Sequence, residues 1–208
     1  MQIDDQFFGK LIRRNNTPPN RSKAGVERKV QLFTKNITVE SSSDKSSQAV
    51  IFFGRETTLG IRVVLKQYNG VKMRSILSEI KVFTLLEQKR QDQAGSELKR
   101  QIGHGSDLQG LPQMLAYKSS KHFSEILMTH GGNSLEKWKH HIKQPQMRMH
   151  FAADMLRQII PALKTLHGVG YSHGDLKPEN ICARKNKEGQ VKFTMIDFGI
   201  CQKLPKIG

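Results

Sequence analysis

Apolar and polar positions along the chain predict strands first, then a helix, then strands and a second helix. A run from Val30 to Val39, with Leu32, Phe33, Ile37 and Thr38, predicts one strand. The polar stretch Glu40 to Gln48 predicts a flexible turn, and Ala49 to Phe53 a second strand. Thr57 to Gly60 reads as a tighter turn, and the β-branched run Ile61 to Gln67 as a third antiparallel strand. Between Val71 and Arg90 the period changes: Ile76, Ile80, Phe83 and Leu86 recur at helical spacing with one buried face. The charged stretch Glu87 to Arg100 reads as a surface connection. Leu111 to Tyr117 and Phe123 to Met128 are short enough to be strands. Met147 to His167 is a helix with Phe151, Met155, Ile159, Leu163 and Leu166 on one face, and Pro161 inside it predicts a kink. Ile181 to Ala183 and Val191 to Ile196 form a hairpin around Lys187, Glu188 and Gly189.

Length bounds this pattern to one domain or two small lobes around a cleft, because 208 residues can bury a core without disulfides. The two cysteines, Cys182 and Cys201, have no metal-ligand spacing and suit a reducing compartment, so an intracellular chain, cytoplasmic or nuclear, is expected. No apolar run is long enough to cross a bilayer, and no membrane partner is expected. The formal net charge of +16 favours anionic partners. No RNP-like aromatic pattern or zinc finger accompanies the lysines, so a solvated basic surface is expected rather than a specific nucleic-acid site. Residues 1–28 read as a flexible basic arm.

Chemistry concentrates in His173-Gly174-Asp175-Leu176-Lys177-Pro178-Glu179-Asn180 and, after the hairpin, Asp197-Phe198-Gly199. An Asp five residues before an Asn, then D-F-G, both in loops, resembles the protein kinase catalytic loop and metal-binding turn. Either piece alone is common in turns; together and in order they are specific. Val63-Val64-Leu65-Lys66 ends a strand as the V-A-I-K motif does, and Glu79 stands 13 positions on, on the polar side of the next helix. That spacing, Gly54 and Gly60 around the second turn, Leu111-Pro112, and Gly132-Asn133-Ser134-Leu135 together resemble the casein kinase 1 family over about residues 30 to 204.

The resemblance implies an α+β, kinase-like two-lobe fold: a five-stranded antiparallel N-lobe over 29–128, a hinge over 129–133, and a partial, mainly helical C-lobe over 134–208. It implies ATP and Mg2+ as cofactors and phosphoryl transfer to serine or threonine hydroxyls. Asp175 would orient the hydroxyl, Lys177 would meet the γ-phosphate, Lys66 would hold phosphates with Glu79 as its ion pair, and Asn180 and Asp197 would ligate the metal. Ser46, Ala49, Ile51, Val64 and the gatekeeper Met128 would enclose the nucleotide, with Thr129, His130 and Gly131 supplying hinge backbone. The expected partner is a protein substrate, acidic or already phosphorylated.

Three departures qualify that expectation. Asp44, Ser46 and Ala49 stand where the glycines of G-x-G-x-x-G belong, which predicts weak nucleotide affinity. Gly174 replaces the arginine of H-R-D, which removes the usual partner of a phosphorylated activation loop. Only 11 residues follow Asp197, so the chain reads as truncated before the A-P-E segment, with low turnover and a Phe151–Met155–Ile159 face left for a partner to cover. The alternative from another class is a pseudokinase or nucleotide-binding interaction module.

Overall fold

The computed structural model describes residues 29–32, 35–43, 49–69, 73–97, 108–120, 123–138, 142 and 144–205. The N-terminal arm expected over 1–28, together with Asp44 and Ser46, lies outside them. The N-terminal lobe is an antiparallel sheet of β1 (Lys29–Leu32), β2 (Lys35–Ser43), β3 (Val50–Glu56), β4 (Ile61–Asn69), β5 (Met114–Ser119) and β6 (Phe123–Thr129), ordered β1-β2-β3-β4-β6-β5. The five expected strands are all present. A sixth arises because the expected Val30–Val39 strand is two strands, paired from Lys29↔Thr38 to Leu32↔Lys35.

Strand alternation and register decide which residues share a face. Along β4, Val64, Lys66 and Tyr68 point one way, while Val63 and Leu65 point the other. Ile51 pairs with Lys66 and Met128 with Val64, so Ala49, Ile51 and Met128 join the first set. That face meets helix α1 (Met73–Glu97) through Ile76, Ile80, Phe83 and Leu86. The opposite face carries a smaller cluster of Ile37, Val63, Leu65 and Leu127. Gly54 lies inside β3 rather than at its turn, and a Cβ there would stand 2.3 Å from the Thr38 carbonyl oxygen, next to the irregularity in β2.

Helix α1 runs to Glu97, through the stretch expected as a surface connection. Two of its charges explain the extension. Arg90 is buried, pairs with Glu87, and donates to the Leu111 and Pro112 carbonyls, while Glu87 accepts from the Met114 amide. These side chains tie the helix to the start of β5.

The second lobe contains β7 (Asn133–Ser134), α2 (Leu135–Trp138), α3 (Pro145–Gly168), β8 (Tyr171–Ser172), a 3-10 turn (Pro178–Asn180), β9 (Ile181–Lys185), β10 (Val191–Met195) and β11 (Gln202–Lys203). Helix α3 continues through Pro161, whose exposed position leaves the carbonyl it cannot pair open to water. The Gln158 side chain acts as a missing strand at the edge of β10, accepting from the Phe193 amide and donating to the Val191 carbonyl. The Phe151–Met155–Ile159 face is largely covered: Ile159 is buried, and Phe151 meets Phe193 edge-on with centroids 4.9 Å apart. The large apolar side chains that α3 leaves in water are Met149, Leu156 and Ile160, on another of its faces. Among the described residues, no helix is long and apolar enough to cross a membrane.

Candidate active site

The two lobes meet at Lys66. Its Nζ donates to Glu79 Oε1 at 2.8 Å and to Asp197 Oδ1 at 3.1 Å, linking β4, α1 and the loop after β10. Glu79 is fully buried, not on a solvated polar side of α1 as the sequence pattern suggested. Its other oxygen, Oε2, accepts from the Tyr68 hydroxyl at 2.7 Å. Tyr68 went unnoticed in the sequence, although two residues along a strand from Lys66 it must share that lysine's face. Burial disfavours the Lys66 cation, yet the carboxylates of Glu79 and Asp197 outweigh that penalty and hold its pKa above the ordinary lysine value. Burial, reinforced by Glu79, likewise pushes the Tyr68 hydroxyl upward and keeps it neutral.

Asp197 is the one non-glycine residue with positive φ among the described residues, at 71°. Aspartate tolerates this left-handed conformation better than bulkier residues, at a cost of about 1–3 kcal/mol that the surroundings must offset. The offset comes from Lys66 and from the next residue. Phe198 is buried, edge-on to Phe83 of α1 (5.1 Å) and to His173 (5.7 Å), so it anchors the loop to both lobes.

The loop after β8 is organised by His173 and Asn180. His173 Nε2 lies 3.0 Å from the Ile196 carbonyl, and its Nδ1 accepts from the Asp175 amide. A neutral ring protonated at Nε2 satisfies both contacts, and burial lowers the His173 pKa. Asn180 Nδ2 donates to the Asp175 backbone carbonyl at 2.9 Å and to its carboxylate at 3.0 Å. Lys177 Nζ sits 2.6 Å from the same carboxylate oxygen. That hydrogen bond, opposed by desolvation, holds Asp175 below the usual carboxylate range and raises Lys177.

Gly174 has φ +78°, and a Cβ there would stand 2.7 Å from the Ile200 carbonyl oxygen. The position where the resemblance expects arginine therefore accepts only glycine without backbone movement. Gly174→Ala is expected to destabilise the chain by about 1–3 kcal/mol, the scale of a left-handed non-glycine residue. Urea unfolding of both proteins checks this, and unchanged midpoints would show that the loop relaxes freely.

Of the expected site residues, Lys66, Glu79 and Asp197 meet in one cluster and Asp175, Lys177 and Asn180 in another, while Ser46 lies outside the described residues. Ala49, Ile51, Val64 and Met128 line one face of the sheet beside Lys66. In the β6–β7 connection, Thr129 N donates to the Gln113 carbonyl and His130 N to the Arg62 carbonyl. Gly131 N has no partner among the described residues, which leaves it able to donate to a ligand. Among the described residues no three His, Cys, Asp or Glu side chains cluster as a metal site. Asp197 and the Asn180 side-chain oxygen supply only two protein oxygens, a donor set that fits magnesium completed by phosphate and water better than an all-protein metal cage.

The chain is 34 % identical over 77 residues to the serine/threonine-protein kinase ppk34 of Schizosaccharomyces pombe, covering 37 % of this chain and 21 % of that protein. It is 26 % identical over 152 residues to CBL-interacting protein kinase 16 of Oryza sativa subsp. japonica, covering 73 % of this chain and 29 % of that one. The chain therefore spans less than a third of either relative. The solved structure of vaccinia related kinase 3 superposes with a TM-score of 0.59 at 15 % identity, over 93 % of this chain and 57 % of that chain, and shows the fold alone. The protein kinase domain family matches residues 63–207, from the strand bearing Lys66 to beyond the Asp197 turn, and the chain belongs to that family.

Proposed function

We propose that the chain binds ATP with Mg2+ between its lobes and supports phosphoryl transfer to serine or threonine hydroxyls in a casein kinase 1-like manner. The observation that carries this reading is the single ammonium of Lys66 held between Glu79 and Asp197, while Asp175 is oriented by Asn180 and Lys177. Lys66 is thereby aimed at the cleft as a fixed, desolvated cation of the kind that holds nucleotide phosphates. Asp175 accepts or orients the proton of the substrate hydroxyl, and Lys177 offsets charge on the transferred group. Asn180 and Asp197 hold the metal, which when bound neutralises charge on the phosphate oxygens. Ala49, Ile51, Val64 and Met128 cover one side of the adenine, and Gly131 N donates to it across the hinge.

Positions 44, 46 and 49 lack the glycines that would fold backbone amides over the phosphates, which favours weak nucleotide affinity. It also supports the second reading, a pseudokinase-like module in which binding outlasts turnover. The +16 charge favours acidic or phosphorylated protein substrates over neutral ones, and the two free cysteines favour an intracellular setting. Calorimetric titration tests the binding half. ATP is expected to bind with magnesium and at least tenfold more weakly with chelator, and Asp197→Asn is expected to remove most of that difference. Equal affinities with magnesium and with chelator would overturn the assignment of Asn180 and Asp197.

A further inference from the structure

A second cavity of about 800 Å³ shares the β6–β7 connection with the candidate site but contains none of Lys66, Glu79, Asp175, Lys177, Asn180 or Asp197. It lies between the two lobes, with walls from α1, the segment before β5, the hinge residues, α3 and the β9–β10 hairpin. Its volume falls within the range of small-ligand pockets. Three cations and one carboxylate line it, and the carboxylate, Glu87, is already paired with Arg90 and with the Met114 amide.

The remaining cations are arranged in a way that folding alone disfavours. Arg184 and Lys192 are direct cross-strand partners in the β9–β10 hairpin, so their side chains leave the same face with Cβ atoms roughly 5 Å apart. Like charges at such positions repel, and neither forms an ion pair among the described residues. Both line the cavity, with Thr194 two residues from Lys192 on the same face. His130, in the cavity wall, has its pKa lowered to about 4, first by burial and then by the charges of Arg62, Arg184 and Lys137. Gln109 and Gln113 add exposed side-chain amides to the wall.

We propose that this cavity is a second ligand site, specific for a phosphomonoester whose dianion is held by Arg184 and Lys192. A phosphate oxygen triad suits this pair because the guanidinium can take two oxygens while the ammonium takes the third as a point charge. The same chemistry can arrive on a phosphorylated side chain or on a small phosphorylated metabolite. Its phosphate-holding pair, Arg184 and Lys192, lies outside the Lys66–Asp197 cluster, although the cavity wall shares Thr129 to Gly131 with the candidate nucleotide site.

The test is calorimetric titration of the chain at fixed ionic strength with glycerol 2-phosphate, with a short phosphoserine peptide, and with its unphosphorylated counterpart. Both phosphomonoesters are expected to bind the wild type, the unphosphorylated peptide not, and Arg184→Glu and Lys192→Glu each to weaken binding by tenfold or more. Arg184→Ala and Lys192→Ala, which add no new charge, are expected to weaken it in the same order, with thermal melts confirming that all variants fold. Tighter binding of the peptide would identify a protein ligand, and tighter binding of glycerol 2-phosphate a metabolite. Asp197→Asn is expected to leave these affinities unchanged, so a failed nucleotide assignment and a failed phosphate site give different results. Absence of phosphomonoester binding by the wild type, or affinities equal in the wild type and the charge-reversed variants, would overturn the proposal.

Discussion

Glu79→Ala is expected to destabilise the fold by about 3–5 kcal/mol, the scale for removing one partner of a buried ion pair. Glu79 is fully buried between Lys66 Nζ and the Tyr68 hydroxyl, and Lys66 itself is only 7 % exposed. Truncation would leave a cation and a hydroxyl without their shared acceptor, and Asp197, half-exposed and 3.1 Å from Lys66, can replace only part of it. Glu79→Gln keeps the shape and one acceptor oxygen, so it is expected to lose less. The same cluster fixes an alkaline dependence. Lys66 has its folded pKa raised above the ordinary 10.5, so its stabilisation is complete below that value and lost as pH climbs through the folded one. Tyr68 is raised above 10.0, so above that pH the unfolded chain releases a proton that the folded chain retains, which also favours unfolding. Both effects have the same sign, and stability is expected to fall from about pH 10 upward. Tyr68→Phe is expected to make that fall shallower. Urea titrations between pH 7 and 11 on wild type and the three variants check the ranking; a Glu79→Ala midpoint equal to wild type would show that the cluster adds nothing to folding.

The parts of this arrangement that were legible in the sequence are those where one residue type can do only one job. The order of Asp175, Asn180 and Asp197 located two loops at once, and the β4 pattern placed Lys66 on a strand face with Val64. What escaped depended on partners distant in sequence. Glu79 is expected as the ion pair of Lys66, but its full burial and its bond to the Tyr68 hydroxyl follow only once the sheet face opposite α1 is known to carry both residues. Glu87 and Arg90 read as loop residues because charge usually marks the surface, yet they neutralise one another and use their remaining groups on the backbone before and at β5. Strands β7, β8 and β11 have two residues each, too few to show any period. Gly174 looked like a lost arginine, whereas its positive φ and the nearby Ile200 carbonyl make glycine a requirement of the loop.

Asp175→Ala is expected to lower phosphotransfer by roughly 100-fold or more, the usual scale for losing a positioned acid–base group. The geometry argues for the lower end of that range. A general base works best with a pKa near the working pH, whereas the hydrogen bond from Lys177 holds Asp175 below its ordinary 3.8. Asp175 therefore contributes chiefly by aligning the hydroxyl through a carboxylate that Asn180 and Lys177 fix in place, and alignment errors of about 1 Å are themselves worth about 100-fold. Two consequences separate this from a nonspecific loss of structure. Nucleotide affinity should change less than about twofold in Asp175→Ala, because the phosphates and metal are assigned to Lys66, Asn180 and Asp197, whereas Lys66→Met should lose both binding and turnover. The rate should also show no acid limb from Asp175 between about pH 6 and 8, since a carboxylate with a depressed pKa remains ionised throughout. Low turnover is expected from a nucleotide site without its glycines, so the comparison needs radiolabelled transfer onto casein with wild type and both variants purified identically. Wild-type activity that survives unchanged in Asp175→Ala would place the reaction in a contaminating kinase or at another site, and would end the assignment of Asp175 as the group that positions the hydroxyl.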